Sequence, residues 1–207
     1  MTRLTNKQDY ANLSDHVYGD KNKQLVFDKG SRDKVTLDGI TYQVILQKSD
    51  ESTGYFGAVY RRMDTNELIV THRGTEFDTE PDRTTDTMMV TDKTNRQYPY
   101  AKYLTEQANE WAANNNKDPH KDKVIVSQTG HSLGGTLAQL CGNNFEQKTE
   151  TFNPFGSGEL KELVKNKPHS YQLITNHMMG GDFVSSASPQ IGRNLYYAKP
   201  EEIRHLQ

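Results

Sequence analysis

The feature that most constrains this chain is the pentapeptide Gly130-His131-Ser132-Leu133-Gly134. The apolar run from Val124 to Val126 precedes it, and Gly135 followed by Thr136-Leu137-Ala138 can open a helix. The pattern G-x-S-x-G between a strand and a helix is typical of the sharp turn that presents a nucleophilic serine at the edge of an α/β sheet. The alternative is a glycine-rich turn without a chemical role, and the strand before the motif and the helix after it favour the first interpretation.

The remainder of the chain predicts an antiparallel entry followed by alternating strands and helices. Thr5 and Gln8 have capping-box spacing at the start of a first helix. Residues rich in β-branched and aromatic side chains then predict strands at 34–48 (with a turn at Asp38-Gly39), 55–60 and 68–71. The later predicted strands are 124–126, 150–153 and 171–175, and the later helices are 101–112, 136–145, 159–166 and 201–207. The predicted fold class is therefore α/β, an α/β-hydrolase-type mostly parallel sheet with helices on both faces, in a single domain over 1–207.

Between Arg73 and Arg96 no hydrophobic period is visible, and the many Asp, Thr and Glu residues predict a long polar loop. Phe77, Met88 and Met89 within residues 76–95 suggest a lid that exposes apolar side chains at an interface.

Charge and cysteine content exclude several classes of protein. Twenty-five basic and twenty-seven acidic residues give a net charge of −2 with no basic block, so we expect no nucleic-acid partner. No apolar run approaches the roughly 18 residues of a spanning helix, and the first ten residues do not resemble a signal peptide, so we expect cytoplasmic synthesis. Cys141 is the single cysteine, which rules out a cysteine-based zinc site, and we expect no metal and no cofactor.

Two residues are candidates for the oxyanion hole. Leu133 would offer its backbone N–H at the helix N-terminus. Thr75 ends the segment LIVTHRGT, in which a buried strand runs directly into Arg-Gly-Thr, and it would offer a second donor. For that segment a simple strand-ending turn is the alternative.

The acid and the base are sought after the nucleophile, because the chain order in this fold is serine, acid, histidine. Asp182 follows the predicted strand YQLIT and is the only aspartate after Ser132. His205 is the only histidine after Asp182, so chain order selects it as the base, while His177 in the acid loop is a less favoured candidate. The alternatives are that Asp182 is a loop aspartate and His205 a surface histidine, each without a chemical role.

These stretches resemble the class 3 lipase family of α/β-hydrolases, which shares the segments read here as LIVTHRGTE and TGHSLGGTLAQL. The pieces ETFNPFGSG and LITNHMMGGDFVSSASP are also similar, so the resemblance covers most of residues 68–192. It implies Ser132 as nucleophile, Asp182 as acid, and Thr75 and Leu133 at the oxyanion hole, with Asp86 ordering the oxyanion loop. The family usually continues from the acid into a histidine-bearing stretch, where this chain has Gln190 and Asn194. The base is therefore His205, or it has been replaced, or it lies in a missing continuation.

The resemblance implies a serine esterase that hydrolyses acyl esters of lipids, as a lipase or phospholipase, through a covalent acyl-enzyme. The N-terminal helix and the ending PEEIRHL also resemble lipase domains of bacterial toxins delivered by contact-dependent secretion, which implies an antibacterial effector with an immunity or secretion partner. Two other functions stay open: a catalytically impaired hydrolase fold that binds a lipid or a protein, and a hydrolase of a non-lipid carbonyl.

Overall fold

The computed structural model describes residues 4–74, 83–158, 160–165, 167, 169–179 and 189–198, and within 83–90 it describes the backbone alone. Its strands are β1 (Lys34–Leu37), β2 (Ile40–Asp50), β3 (Tyr55–Arg62), β4 (Leu68–His72), β5 (Val126–His131), β6 (Thr149–Phe152), β7 (Ile174–Met179) and β8 (Arg193–Tyr197). Its helices are α1 (Lys7–His16), α2 (Arg83–Asn115), α3 (Leu133–Phe145) and α4 (Ser170–Leu173).

The eight strands form one sheet in sequence order. The pairs from β1 to β4 are antiparallel, and the pairs from β4 to β8 are parallel. Helices separate the parallel strands, since α2 connects β4 to β5 and α3 connects β5 to β6. The architecture confirms the predicted α/β class with an antiparallel entry.

Both faces of the central strands are covered, as alternation along β4 shows. Ile69 packs into a cluster with Tyr10 and Leu13 of α1, whereas its neighbours Leu68 and Val70 pack with residues of α2. Successive side chains of a strand point to opposite faces, so α1 and α2 lie on opposite sides of the sheet. The predicted placement of helices on both faces is therefore confirmed.

Four predicted elements were wrong in extent or type. The loop expected over 73–96 is helical from Arg83, where α2 begins a helix of 33 residues. The strand expected at 124–126 is β5, which begins at Val126 and continues to His131. Residues 160–165 form turns instead of a helix, and 171–173 belong to the short α4 instead of a strand.

Polar composition explains two of these differences. The first part of α2, residues 83–96, is rich in Thr and Asp, so its sequence lacks a clear apolar stripe. In β5 the buried side chains of Ser127, Gln128 and Thr129 are polar, so a prediction from hydrophobicity alone ends the strand at Val126. The first helix also begins one residue later than expected, because Asn6 and Asp9 form the capping box instead of Thr5 and Gln8.

Candidate active site

Ser132 occupies a strained turn between β5 and α3. Its backbone has φ 54° and ψ −126°, a conformation that side-chain-bearing residues rarely adopt. The Ser132 N–H donates to the Phe152 carbonyl at 3.0 Å, and the Ser132 carbonyl accepts from the Thr136 N–H at 3.1 Å. The turn is thus fixed by β6 on one side and by α3 on the other, as expected for a nucleophile elbow.

The glycines around Ser132 are required by close backbone contacts. A Cβ on Gly134 would lie 2.1 Å from the His72 carbonyl oxygen, and a Cβ on Gly130 would lie 2.4 Å from the Gly134 carbonyl. A Cβ atom does not approach a non-bonded atom this closely in proteins, so any larger residue would push α3 away from β4 and β5. Glycine at these positions lets α3 start directly against the two strands.

The end of β4 lies beside the serine. Parallel pairing places His72 opposite Gly130, so the residues that follow each strand are neighbours. A Cβ on Gly74 would lie 3.3 Å from the Ser132 Cβ and 2.6 Å from the His131 carbonyl oxygen. Thr75, the predicted oxyanion donor, follows Gly74 in the chain and lies outside the described residues.

Leu133 is the first residue of α3 and is fully buried. The first N–H groups of a helix have no intrahelical acceptor, and the helix dipole adds partial positive charge there. Ser132, which is 7% exposed, therefore lies at an electropositive helix terminus. This placement suits the stabilisation of an oxyanion that forms next to the serine hydroxyl.

Tyr18, from the segment after α1, also contacts the elbow. Its hydroxyl lies 2.9 Å from His131 Nδ1, and the two rings pack edge to face at 6.0 Å. The same hydroxyl would be 2.4 Å from a Cβ on Gly74. Tyr18 thus links α1 to the residue before Ser132 and to the residue before Thr75, a role that sequence reasoning missed because 113 residues separate Tyr18 from His131.

None of the described histidines hydrogen-bonds the Ser132 hydroxyl. His16 contacts Tyr60 and Val26, and His72 contacts Tyr55 and Gln128. His120 and His169 are exposed in connecting segments. The base is therefore not identified within the part of the chain that the structure describes.

His177, the less favoured base candidate, is held in another cluster. Its Nε2 lies 2.6 Å from Glu150 Oε2 and its Nδ1 lies 2.8 Å from the Tyr197 hydroxyl. The imidazole stacks on Phe152 with ring centroids 5.1 Å apart. Since both ring nitrogens have partners, His177 is placed to join β6, β7 and β8 and not to accept a proton from Ser132.

His72 is fully buried at the end of β4, and burial lowers its pKa to about 4. Its two ring nitrogens lie 3.0 Å from the Tyr55 hydroxyl and 3.1 Å from Gln128 Oε1. A neutral imidazole in this position anchors the strand end that carries Gly74. His72 is therefore a buried histidine of the core.

Asp182 and His205, the predicted acid and base, lie outside the described residues. Asp86 lies on α2, within the stretch described by its backbone alone. Across the described ranges no group of His, Cys, Asp or Glu side chains is arranged to hold a metal ion. No helix in the described ranges has the length and apolar character needed to cross a bilayer.

Solved structures with a similar fold are fungal lipases. The lipase Lip2 of Yarrowia lipolytica gives a TM-score of 0.55 at 13% identity, covering 90% of this chain and 76% of that one. A triacylglycerol lipase from Penicillium expansum gives 0.52 at 16% identity, covering 92% and 77%. The Rhizomucor miehei lipase in its propeptide complex gives 0.53 at 15% identity, covering 86% of this chain and 61% of that one. The chain thus spans about three fifths of the Rhizomucor lipase, and at these identities the likeness shows the fold.

No protein with a curated description matches the sequence. A family model does match: the Tle-like phospholipase domain, described as phospholipase-like, over residues 9–187. This range includes β1 to β7, the elbow and the strand end that contacts it. The family description, a phospholipase-like domain, agrees with the carboxylic ester hydrolase that the sequence predicted. The chain therefore belongs to the Tle-like phospholipase domain family and has the fold of the lipase-type α/β-hydrolases.

Proposed function

We propose that this protein hydrolyses acyl esters of lipids through a covalent acyl-enzyme on Ser132. The observation that carries the proposal is the strained serine at φ 54°, placed at the N-terminus of α3 and against Gly74. Strain at a single non-glycine residue persists only where the surrounding structure enforces it, and such residues concentrate at functional sites.

In the proposed reaction a general base removes the proton of the Ser132 hydroxyl while its oxygen attacks the ester carbonyl. The oxyanion that forms is stabilised by the Leu133 N–H and by Thr75. Collapse of the tetrahedral intermediate expels the alcohol, which takes the proton from the base. In the second half of the reaction the base removes a proton from water, and the water oxygen attacks the carbonyl of the acyl-enzyme. The Ser132 oxygen then leaves and takes the proton from the base.

We assign the base to His205 and the acid to Asp182. The assignment of His205 rests on chain order and on the described histidines, since none of them hydrogen-bonds the Ser132 hydroxyl. Asp182 follows β7, where an acid of this fold is expected.

Labelling with a fluorophosphonate probe tests the nucleophile and the base together. We expect wild-type protein to label, and Ser132→Ala and His205→Ala to lose labelling while remaining folded. His120→Ala is the matched control, because His120 is an exposed histidine that precedes β5, whereas the elbow lies at the other end of that strand. Labelling that survives Ser132→Ala would refute the nucleophile, and labelling that survives His205→Ala would assign the base elsewhere.

Thr75 is tested by turnover. Loss of one oxyanion donor typically lowers kcat by about 10²- to 10³-fold. If Thr75→Ala and Thr75→Val both retained wild-type turnover, the Thr75 hydroxyl would not be an oxyanion donor. A panel of p-nitrophenyl esters, phospholipids and peptides identifies the acyl substrate, and hydrolysis of peptides alone would overturn the assignment to lipid esters.

We also propose that the protein acts as an antibacterial effector that is delivered by contact-dependent secretion and neutralised by an immunity partner. The support is its resemblance to lipase domains of bacterial toxins. Expression in a bacterial host with an export signal is expected to inhibit growth, and the Ser132→Ala protein is expected not to. Bacterial competition that is unchanged by deletion of the gene would contradict this role.

A further inference from the structure

The residues that flank the assigned acid on both sides are bonded to the stretch of chain that follows β6. We call residues 180–188, which contain that acid and lie outside the described ranges, the acid segment. Met179, the last residue of β7, precedes the acid segment, and Pro189 follows it. The stretch after β6 begins directly beside the nucleophile, because the Phe152 carbonyl accepts the Ser132 N–H at 3.0 Å.

Asn153 holds the first end of the acid segment. Its Oδ1 accepts from the Met179 backbone N–H at 2.8 Å, and its own backbone N–H donates to the His177 carbonyl at 2.8 Å. Asn153 has φ 42°, a value that few side-chain-bearing residues adopt and that asparagine tolerates better than most. Such a conformation persists only where the surrounding structure enforces it. Asn153 thus fixes the end of β7, three residues before Asp182.

The second end is held by Pro154 and Gln139. Gln190 Nε2 donates to the Pro154 carbonyl at 3.1 Å, and Gln190 Oε1 accepts from Gln139 Nε2 at 2.6 Å. The neighbouring Pro189 carbonyl accepts from the Gly158 N–H at 2.7 Å. The chain that leaves the acid segment is therefore bonded both to the stretch after β6 and to α3.

Gln139 lies in the core and is bonded through both ends of its amide. The residue is fully buried, and its Nε2 also donates to Asn176 Oδ1 of β7 at 2.8 Å. Its Oε1 accepts from Ser157 Oγ at 2.7 Å. A buried polar network whose members are satisfied fixes one arrangement of the chain, whereas an apolar side chain would only fill the space. Gln139 thus fixes β7 and Gln190 relative to α3.

These contacts join both ends of the acid segment to the elbow itself. Helix α3 begins immediately after Ser132, and Pro154 packs against its first turn, since a Cβ on Gly135 would lie 3.0 Å from the Pro154 Cβ. The acid of a triad acts by orienting the base, so its own position must be fixed. A misplacement of about 1 Å can lower turnover by about 100-fold.

We propose that Asn153 and Gln139 are positioning residues that fix the two ends of the acid segment relative to Ser132, and so hold Asp182 in the orientation that the base needs. Both act through residues that flank the acid segment and not on the reacting atoms. This inference rests on the proposed function, and it adds two residues that no motif in the sequence marks.

Hydrolysis of p-nitrophenyl butyrate by the full chain tests Asn153. We expect Asn153→Gly to lower kcat about 10-fold or more, because glycine adopts the positive φ and removes only the acceptor of the Met179 N–H. Asn153→Asp keeps an acceptor oxygen and is expected to retain most of the turnover. Asn66→Gly is the matched control, since Asn66 has φ 60° and its Oδ1 accepts from Arg61 Nε at 2.6 Å, in the turn that precedes β4.

Gln139→Met tests the second end with a side chain of similar volume. We expect kcat to fall about 10-fold. Asn144→Leu is its control, because Asn144 is another buried amide of α3, and its Nδ2 donates to the Tyr98 hydroxyl at 2.6 Å and to the Leu163 carbonyl at 2.7 Å. Urea unfolding shows that each variant is folded. An equal fall of kcat in Asn144→Leu would show a general loss of rigidity and would refute a specific role for Gln139.

A double-mutant cycle with Asp182→Asn separates positioning of the acid from a purely structural role. We expect Asn153→Gly to lower kcat about 10-fold in the wild-type background and by less than about 2-fold when Asp182→Asn is already present. Equal losses in the two backgrounds would overturn the inference and leave the esterase proposal intact. Wild-type protein that does not hydrolyse the ester, or Asp182→Asn protein with wild-type kcat, would instead count against the proposed function, and the positioning role would fall with it.

Discussion

The strain at Ser132 is measurable as a difference in stability between two inactive variants. Ser132→Ala and Ser132→Gly both remove the hydroxyl, but only glycine adopts φ 54° and ψ −126° without steric cost. At an ordinary position alanine is the more stable of the two residues. At position 132 we expect the order to reverse.

The magnitude follows from three opposing contributions. Relief of backbone strain favours glycine by about 2 kcal/mol. The greater freedom of glycine in the unfolded chain costs about 0.7 kcal/mol, and loss of a buried methyl group costs about 0.8 kcal/mol. The net expectation is that Ser132→Gly is more stable than Ser132→Ala by about 0.5 kcal/mol.

The assay is equilibrium unfolding in urea, with the free energy of unfolding compared between the two variants. Lys102→Gly and Lys102→Ala provide the matched control on an exposed helical site, where glycine should be about 1 kcal/mol less stable than alanine. The quantity of interest is the difference between the two sites, about 1.5 kcal/mol. If alanine were the more stable residue at both sites by the same amount, the elbow would not be strained.

Three further predictions concern the contacts around the elbow. Gly134→Ala places a Cβ 2.1 Å from the His72 carbonyl oxygen, so we expect the free energy of unfolding to fall by about 3 kcal/mol and esterase turnover to be lost. Tyr18→Phe removes the hydroxyl that lies 2.9 Å from His131 Nδ1. We expect the free energy of unfolding to fall by about 1 kcal/mol and kcat/KM to fall by more than this loss of stability explains. Unchanged kcat/KM would show that the contact is only structural. The His72 pKa of about 4 lies below the unfolded value of 6.5, so only the unfolded chain takes up this proton between those values and stability falls as the pH drops from 6.5 towards 4. Between pH 7 and pH 4.5 this contributes a loss of about 2 to 3 kcal/mol, which should disappear in His72→Gln when urea unfolding is repeated at both pH values.

The sequence was sufficient to predict the structure where a local pattern is compatible with only one backbone conformation. The hairpin at Asp38-Gly39 was predicted, and both residues adopt the positive φ that such a turn needs. The elbow was predicted from glycines that flank a serine between an apolar run and a helix. Its strained backbone and close contacts are those that the pattern requires.

The sequence was insufficient to predict the structure where the buried side chains are polar. Thr129 in β5 is fully buried, yet its hydroxyl lies 2.9 Å from that of Ser14 in α1, at a distance of 115 residues along the chain. Gln128 is buried on the other face and bonds Gln147. Side chains of this kind are stable inside only because a distant partner satisfies them, and a single sequence does not show the partner.

The same limit applies to the site. Tyr18 was missed because its partner His131 is distant in the sequence. Each residue assigned from the sequence lies in a recognisable segment or follows from chain order, whereas Tyr18 lies in a segment with no such pattern.

The end of β4 couples these contributions. Three consecutive residues have separate contacts: the His72 carbonyl packs where Gly134 has no Cβ, the Arg73 guanidinium stacks on the Phe56 ring, and Gly74 lies against Ser132. Because side chains alternate along a strand, a slip of one residue in the pairing of β4 with β5 would misplace all three at once. The buried hydrogen bonds of His72 to Tyr55 and Gln128 oppose such a slip. Precise pairing of one short strand is therefore a structural condition for the chemistry that we propose at Ser132.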